Sequence, residues 1–113
     1  MKNIDGVQLE ERDIKLLKKI KGAVYKILPE RTLIFFGSRA RREASPDSDW
    51  DILVLTETVN AELKHTIRAA IFDIELEEGV IINLLILPKN EWENGHFRNH
   101  PIRRNVEAEG ILI

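Results

Sequence analysis

From Leu9 to Leu28 the apolar residues Ile14, Leu17, Ile20, Val24 and Ile27 recur at steps of three or four among Glu, Arg and Lys, which predicts an amphipathic helix ended by Pro29. The lysines at 15, 18, 19 and 21 fall mainly off that stripe and read as a solvated face. Arg31–Phe36 (RTLIFF) is β-branched and aromatic, a buried strand that Gly37-Ser38 breaks into a tight turn. The segment SRARREA then reads as a short helix with Ser38 as its N-cap, and Ser45-Pro46-Asp47-Ser48 as a polar loop. Asp49–Leu55 (DWDILVL) is the next strand. Asn60 and Glu62 open a helix with Leu63, Ile67, Ala70, Ile71 and Ile74 on its inner face, and Gly79 closes it.

Val80–Leu87 (VIINLLIL) is apolar at every position except Asn83, which predicts a central strand covered on both faces and stopped by Pro88. EWENGHFRNH reads as irregular, Pro101–Glu109 as a last short helix, and the closing ILI as a strand whose apolar edge invites another chain, leaving a homo-oligomer open. The predicted order α, β, short α, β, α, β, α, β points to an α/β domain with helices packed on a mixed sheet.

Composition narrows the setting. A chain of 113 residues, 43% hydrophobic and 32% charged, suits one domain over 1–113. With no cysteine, a disulfide framework, a thiolate nucleophile and an iron–sulfur cluster are excluded, and a reducing, cytoplasmic setting is the expectation. Seventeen Lys and Arg against nineteen Asp and Glu give a net charge of −2, so no broad positive field draws nucleic acid. No apolar run approaches the ~20 residues of a membrane helix, and the start MKNIDGVQLEER has no apolar leader stretch, so no membrane partner is expected.

Chemistry concentrates at two places. Asp49 and Asp51 stand one residue apart at a strand entrance, so both carboxylates share a face, with backbones about 6.5–7 Å apart. Such a pair can converge on a hard cation such as Mg²⁺ that also takes phosphate oxygens. Gly37 allows close approach of a phosphate to the backbone, Ser38 adds a hydroxyl, and a helix start would add free N–H groups. Of the three arginines that follow, Arg39 and Arg42 are the expected phosphate contacts beside Arg41.

Other uses of these residues fail on position. Asp47, Asp49 and Asp51 open like a calcium loop, but Ile52 stands where glycine is needed and Thr58 where glutamate is needed. No Gly-Lys follows Gly37 to make a phosphate loop of the nucleoside-triphosphatase type. His96 and His100 lie between Gly95 and Pro101, which argues against a helical metal pair, and His65 reads as a surface residue.

Gly37-Ser38, ten residues, then Asp49-Trp50-Asp51 entering a strand resembles the signature of the DNA polymerase β-like nucleotidyltransferase superfamily. The stretch GSRARREASPDSDWDILV is similar to its minimal members, the MNT domains encoded beside HEPN toxins. The resemblance implies transfer of a nucleoside monophosphate from an NTP, ATP in the first instance, to a hydroxyl, with pyrophosphate leaving. It further implies that Gly37 and Ser38 hold the β- and γ-phosphates while Asp49 and Asp51 bind two Mg²⁺ ions. A HEPN-type toxin or another acceptor protein is the implied partner, because a chain this short has no room for the acceptor-holding domain of larger relatives.

One departure stands out. Active members of that superfamily carry a third carboxylate on a neighbouring strand, and the only polar residue of VIINLLIL is Asn83. An amide can ligate a cation through its oxygen but brings no charge and cannot act as a base. An amide in so apolar a run is costly unless something binds it, so Asn83 is expected to face Asp49 and Asp51 as the third ligand. Glu75, Glu77, Glu78 and Asp73, at the end of a helix, are expected to be solvent-exposed. The alternative to an enzyme is therefore an antitoxin-like nucleotide-binding module that has lost turnover.

Overall fold

The computed structural model describes residues 1–7, 9–43, 45 and 47–113. Gln8 lies outside them, as do Ala44 of the predicted short helix and Pro46 of the predicted loop. The elements are β1 (Lys2–Asn3), a 3₁₀ turn (Ile4–Gly6), α1 (Glu11–Ile27), β2 (Thr32–Phe36), β3 (Trp50–Thr56), α2 (Ala61–Glu78), β4 (Ile82–Pro88), α3 (Lys89–Asn94), α4 (Pro101–Glu109) and β5 (Ile111–Leu112).

Local chemistry explains the boundaries. The Asn60 side chain accepts the Leu63 N–H at 2.8 Å to start α2, and Gly79 ends it in the left-handed region at φ +65°. Pro101 occupies the first turn of α4, where its missing N–H costs nothing, and His100 Nδ1 caps it by accepting the Ile102 N–H at 3.1 Å. The helix α1 stops at Ile27, and its cap Leu28 turns extended just ahead of Pro29.

The five strands form one mixed sheet in the order β1-β5-β2-β3-β4. The central β2 and β3 are antiparallel, β4 runs parallel to β3, and β5 lies between β1 and β2. On one face α1 and α2 bury Leu17, Ile20, Val24, Ile67 and Ile71 against Leu33, Phe35, Trp50, Ile52 and Val54. On the other, α3 and α4 bring Trp92 and Val106 onto Ile34, Leu53 and Leu55. Each fully buried aliphatic side chain here is worth about 1.5–3 kcal/mol, and β3, covered on both faces, supplies Ile52, Leu53 and Val54.

Four expectations are corrected. The strand around Asn83 is an edge strand, not a central one, since β4 pairs only with β3 among the described residues. EWENGHFRNH is not wholly irregular, because α3 follows Pro88 directly and buries Trp92. The closing ILI is no open edge: β5 is paired on both sides, with the very short β1 covering it.

The fourth is the short helix after Gly37, which is a single turn. Arg41 N–H bonds Gly37 O at 3.1 Å, then Arg42 N–H reaches Arg39 O at 3.2 Å and Glu43 N–H reaches Ser38 O at 3.0 Å, the paired bonds of a Schellman closure. Arg42 takes the left-handed conformation that ends it, at φ +63°.

Candidate functional site

Asp49 and Asp51 lie at the N-terminal end of β3, and the two-residue alternation turns both to the α3–α4 face of the sheet. The parallel register sets Asn83 of β4 beside Asp51. Its amide nitrogen donates to Asp49 Oδ2 at 2.9 Å and to Asp51 Oδ1 at 3.2 Å. The one polar side chain of β4 thus ties the two carboxylates together, and since Asn83 is exposed rather than buried, no burial cost imposes these bonds.

An amide dipole cannot neutralise two anions. Burial pushes the Asp51 carboxyl above the ordinary carboxylate range, and the charges of Asp49 and Glu109 add to this, while the Asn83 hydrogen bond and the Arg41 charge pull it back. The corner is therefore short of positive charge.

Gly37 closes the other side. Phe36 pairs with Asp51 across the β2–β3 ladder, so the chain leaving β2 passes directly over that carboxylate. Gly37 sits at φ +84°, and a Cβ there would overlap Asp51 Oδ2 and stand 3.0 Å from its Cγ. Glycine is required both by the backbone angle and by the absence of space.

The turn 38–42 sorts the three arginines onto different sides. Arg39 donates from Nε to Ser48 O at 2.7 Å and lays its guanidinium 4.6 Å from the Trp50 ring, on the α1 side of the sheet. With Arg42 it lines a cleft of about 350 Å³ that also includes Glu10, Arg12 and Asp13. Arg41 is the arginine on the Asp51 side, where Nη1 donates to Glu109 Oε2 at 2.7 Å and Nε to Glu43 Oε2 at 3.1 Å.

Sequence reasoning passed over the Arg41–Glu109 pair. Glu109 is the last residue of α4, and nothing in its local sequence separates it from a solvated helix end. Ser38 stands next to Gly37, half-buried, but its predicted hydroxyl cap does not form among the described residues.

The remaining candidates lie elsewhere. Glu75 is not a free, solvated carboxylate, since its Oε2 accepts the Ile82 N–H at 2.8 Å; Glu77 and Glu78 both pair with Lys19 of α1, and Asp73 is exposed. His96 contacts Glu91 through Nδ1 at 3.3 Å, His100 serves as a cap, and His65 is exposed on α2. Among the described residues no group of three or more His, Cys, Asp or Glu side chains is placed to hold a metal. The donors assembled at this corner are two carboxylates and one amide.

Residues 17–113 match the family described as nucleotidyltransferase domain. The chain belongs to that family. No curated protein matches it. The mixed five-stranded sheet with helices on both faces agrees with the polymerase β-like nucleotidyltransferase fold, and the family implies an NTP as ligand. Among the described residues, no helix of this nucleotidyltransferase domain is long and apolar enough to cross a membrane.

Proposed function

We propose that the domain uses Mg²⁺ to transfer a nucleoside monophosphate from ATP to a hydroxyl of a partner protein. The observation that carries this reading is the corner where Asp49 and Asp51 converge on the Asn83 amide directly beneath Gly37.

The residues fit the metal. Carboxylate oxygens are the hard donors that Mg²⁺ prefers, and two like charges held together with one of them partly desolvated favour a divalent cation. Asn83 would serve as a third ligand by turning its amide oxygen, rather than its nitrogen, toward the ion. When bound, the metal supplies neutralisation of the triphosphate charge and of the leaving pyrophosphate.

The protein's own groups supply position. Gly37 lets a β- or γ-phosphate oxygen approach the backbone, with the Ser38 hydroxyl beside it as a donor. Arg41 on the carboxylate side gives the guanidinium for the phosphates, whereas Arg39 and Arg42 lie across the turn on the α1 side. Transfer forms a bond from the acceptor oxygen to the α-phosphorus and breaks the bond to the bridging oxygen, releasing pyrophosphate. The hydroxyl proton leaves to water or to a substrate phosphate oxygen, because Asn83 cannot accept it.

A second reading has its own observation. Asn83 stands where the resemblance calls for a carboxylate, which suits an antitoxin-like module that binds nucleotide without turnover beside a HEPN-type partner. ATP labelled on its α-phosphate decides between them. The enzyme reading expects label on an acceptor protein, abolished by Asp49→Ala or Asp51→Ala; label from none of the common NTPs, while ATP with Mg²⁺ still binds, gives the second reading.

A further inference from the structure

We infer that the flank formed by α2 and β4 is the interface between two copies of this chain, joined antiparallel through their β4 edges about a two-fold axis. The backbone of β4 sets the register. Trp50 N–H donates to Ile81 O at 2.9 Å, so in this parallel ladder residues 81, 83, 85 and 87 turn their N–H and C=O toward β3. Residues 82, 84, 86 and 88 turn theirs outward. Ile82 N–H is already taken by Glu75 Oε2, and Pro88 has no N–H to give. The free edge is thus the short stretch with Leu84 and Ile86 as its donors. An antiparallel copy centred on residue 85 sets Leu84 against Ile86 of the second copy, and the reverse, which satisfies both donors twice over.

Side chains beside the edge favour a second copy over other occupants. Phe72, Leu76 and Ile81 are 54%, 68% and 60% exposed, three of the six large apolar side chains exposed among the described residues. A groove of about 350 Å³ between α2 and the edge is lined by His65, Arg68, Phe72, Glu75, Ile82 and Leu84.

After Glu62 in its first turn, α2 carries basic Lys64, His65 and Arg68 and then acidic Asp73 and Glu75, while Glu77 and Glu78 are already paired with Lys19. An α2 crossing its own copy antiparallel at Phe72 brings Arg68 of one chain to Glu75 of the other, and Leu76 over Arg68's aliphatic stem. Because α2 connects the parallel strands β3 and β4, it runs opposite to both, and one two-fold axis serves helix and strand together.

The test is the mass of the full chain in solution, without nucleotide or metal, by sedimentation equilibrium over a concentration series. The result expected is twice the 13.1 kDa chain mass, falling to one chain for Phe72→Lys, whose exposed position leaves folding intact. Arg68→Glu alone and Glu75→Arg alone are each expected to be single chains that pair when mixed, because every cross-contact then regains opposite charges. If Glu75→Arg does not fold, Phe72→Lys and Arg68→Glu decide alone. A wild-type chain that stays single at every concentration, its edge open to some other strand, overturns the inference. So does a pair that survives both Phe72→Lys and Arg68→Glu. Neither outcome depends on nucleotide binding.

Discussion

The same face of β3 has two ends with opposite fates. Leu53 and Leu55 lie under α3 and α4 against Trp92 and Val106, whereas Asp51 and Asp49, two and four residues earlier on the same side, are only partly covered. At that end α4 finishes in Glu109, so a carboxylate and its Arg41 partner, not an apolar side chain, stand on the Asp51 side. Covering that end would bury two anions with only Arg41, itself paired with Glu109 and Glu43, as nearby counter-charge, at a cost of several kcal/mol per ion. Leaving it open keeps the corner available to a cation and a polyphosphate. One strand therefore provides both an anchor and the proposed site, and the boundary falls between Asp51 and Leu53.

The strongest way to break this comparison is to exchange its ends. Leu53→Ala, at a fully buried position, is expected to lose about 2–5 kcal/mol in urea unfolding. Asp51→Ala, one alternation away, should leave stability unchanged or higher, and equal losses at both positions would remove the distinction.

Gly37→Ala comes next, at about 1–3 kcal/mol, from the left-handed backbone and from a Cβ placed against the Asp51 carboxylate. Chemical denaturation measures the first part. A loss of nucleotide binding beyond that of other equally destabilised variants measures the second.

Much of this division is legible in the sequence. The alternation in DWDILVL already assigns Asp49 and Asp51 to one face with Leu53 and Leu55, and Asn60, Gly79 and Pro101 mark helix ends that the structure keeps. The error over β4 has a physical reason. An apolar run reports that both faces of a strand are covered, but says nothing about the in-plane edge, where only backbone groups are at stake. β1 is too short for any periodicity, and α3 hides because its one buried anchor, Trp92, gives no repeat.

At this corner the two-residue alternation put Asp49 and Asp51 on one face and the resemblance set Gly37 and Asn83 with them, and the structure brings the four residues together. Spacing could not tell which of three neighbouring arginines faces the carboxylates. That depends on a turn closed by Arg42 at positive φ, an angle that arginine seldom adopts.

Smaller effects sharpen the electrostatic half. Asn83→Asp adds a third anion at the open end, so Mg²⁺ affinity measured by calorimetry is expected to rise severalfold while metal-free stability falls. Unchanged values for both would show that Asn83 has no electrostatic part in the corner.

The smallest effect is one of pH. The Asp51 carboxyl is raised in the folded state, so its contribution favours folding below the unfolded carboxylate pKa and is lost as pH rises through the raised value. Asp51→Asn removes that penalty. The variant should melt slightly higher than wild type at neutral pH, with the gap closing in acid, and a gap independent of pH would contradict the assignment.

The central claim is that this open end of β3, under Gly37, is a metal-dependent nucleotide site. Titration calorimetry of ATP into the full chain, with and without Mg²⁺, tests it most directly, with Asp49→Asn and Asp51→Asn as matched variants that keep the fold. The account predicts Mg²⁺-dependent binding by the wild type and its loss in both variants. Absence of binding by the wild type, or equal binding by folded variants, would contradict it.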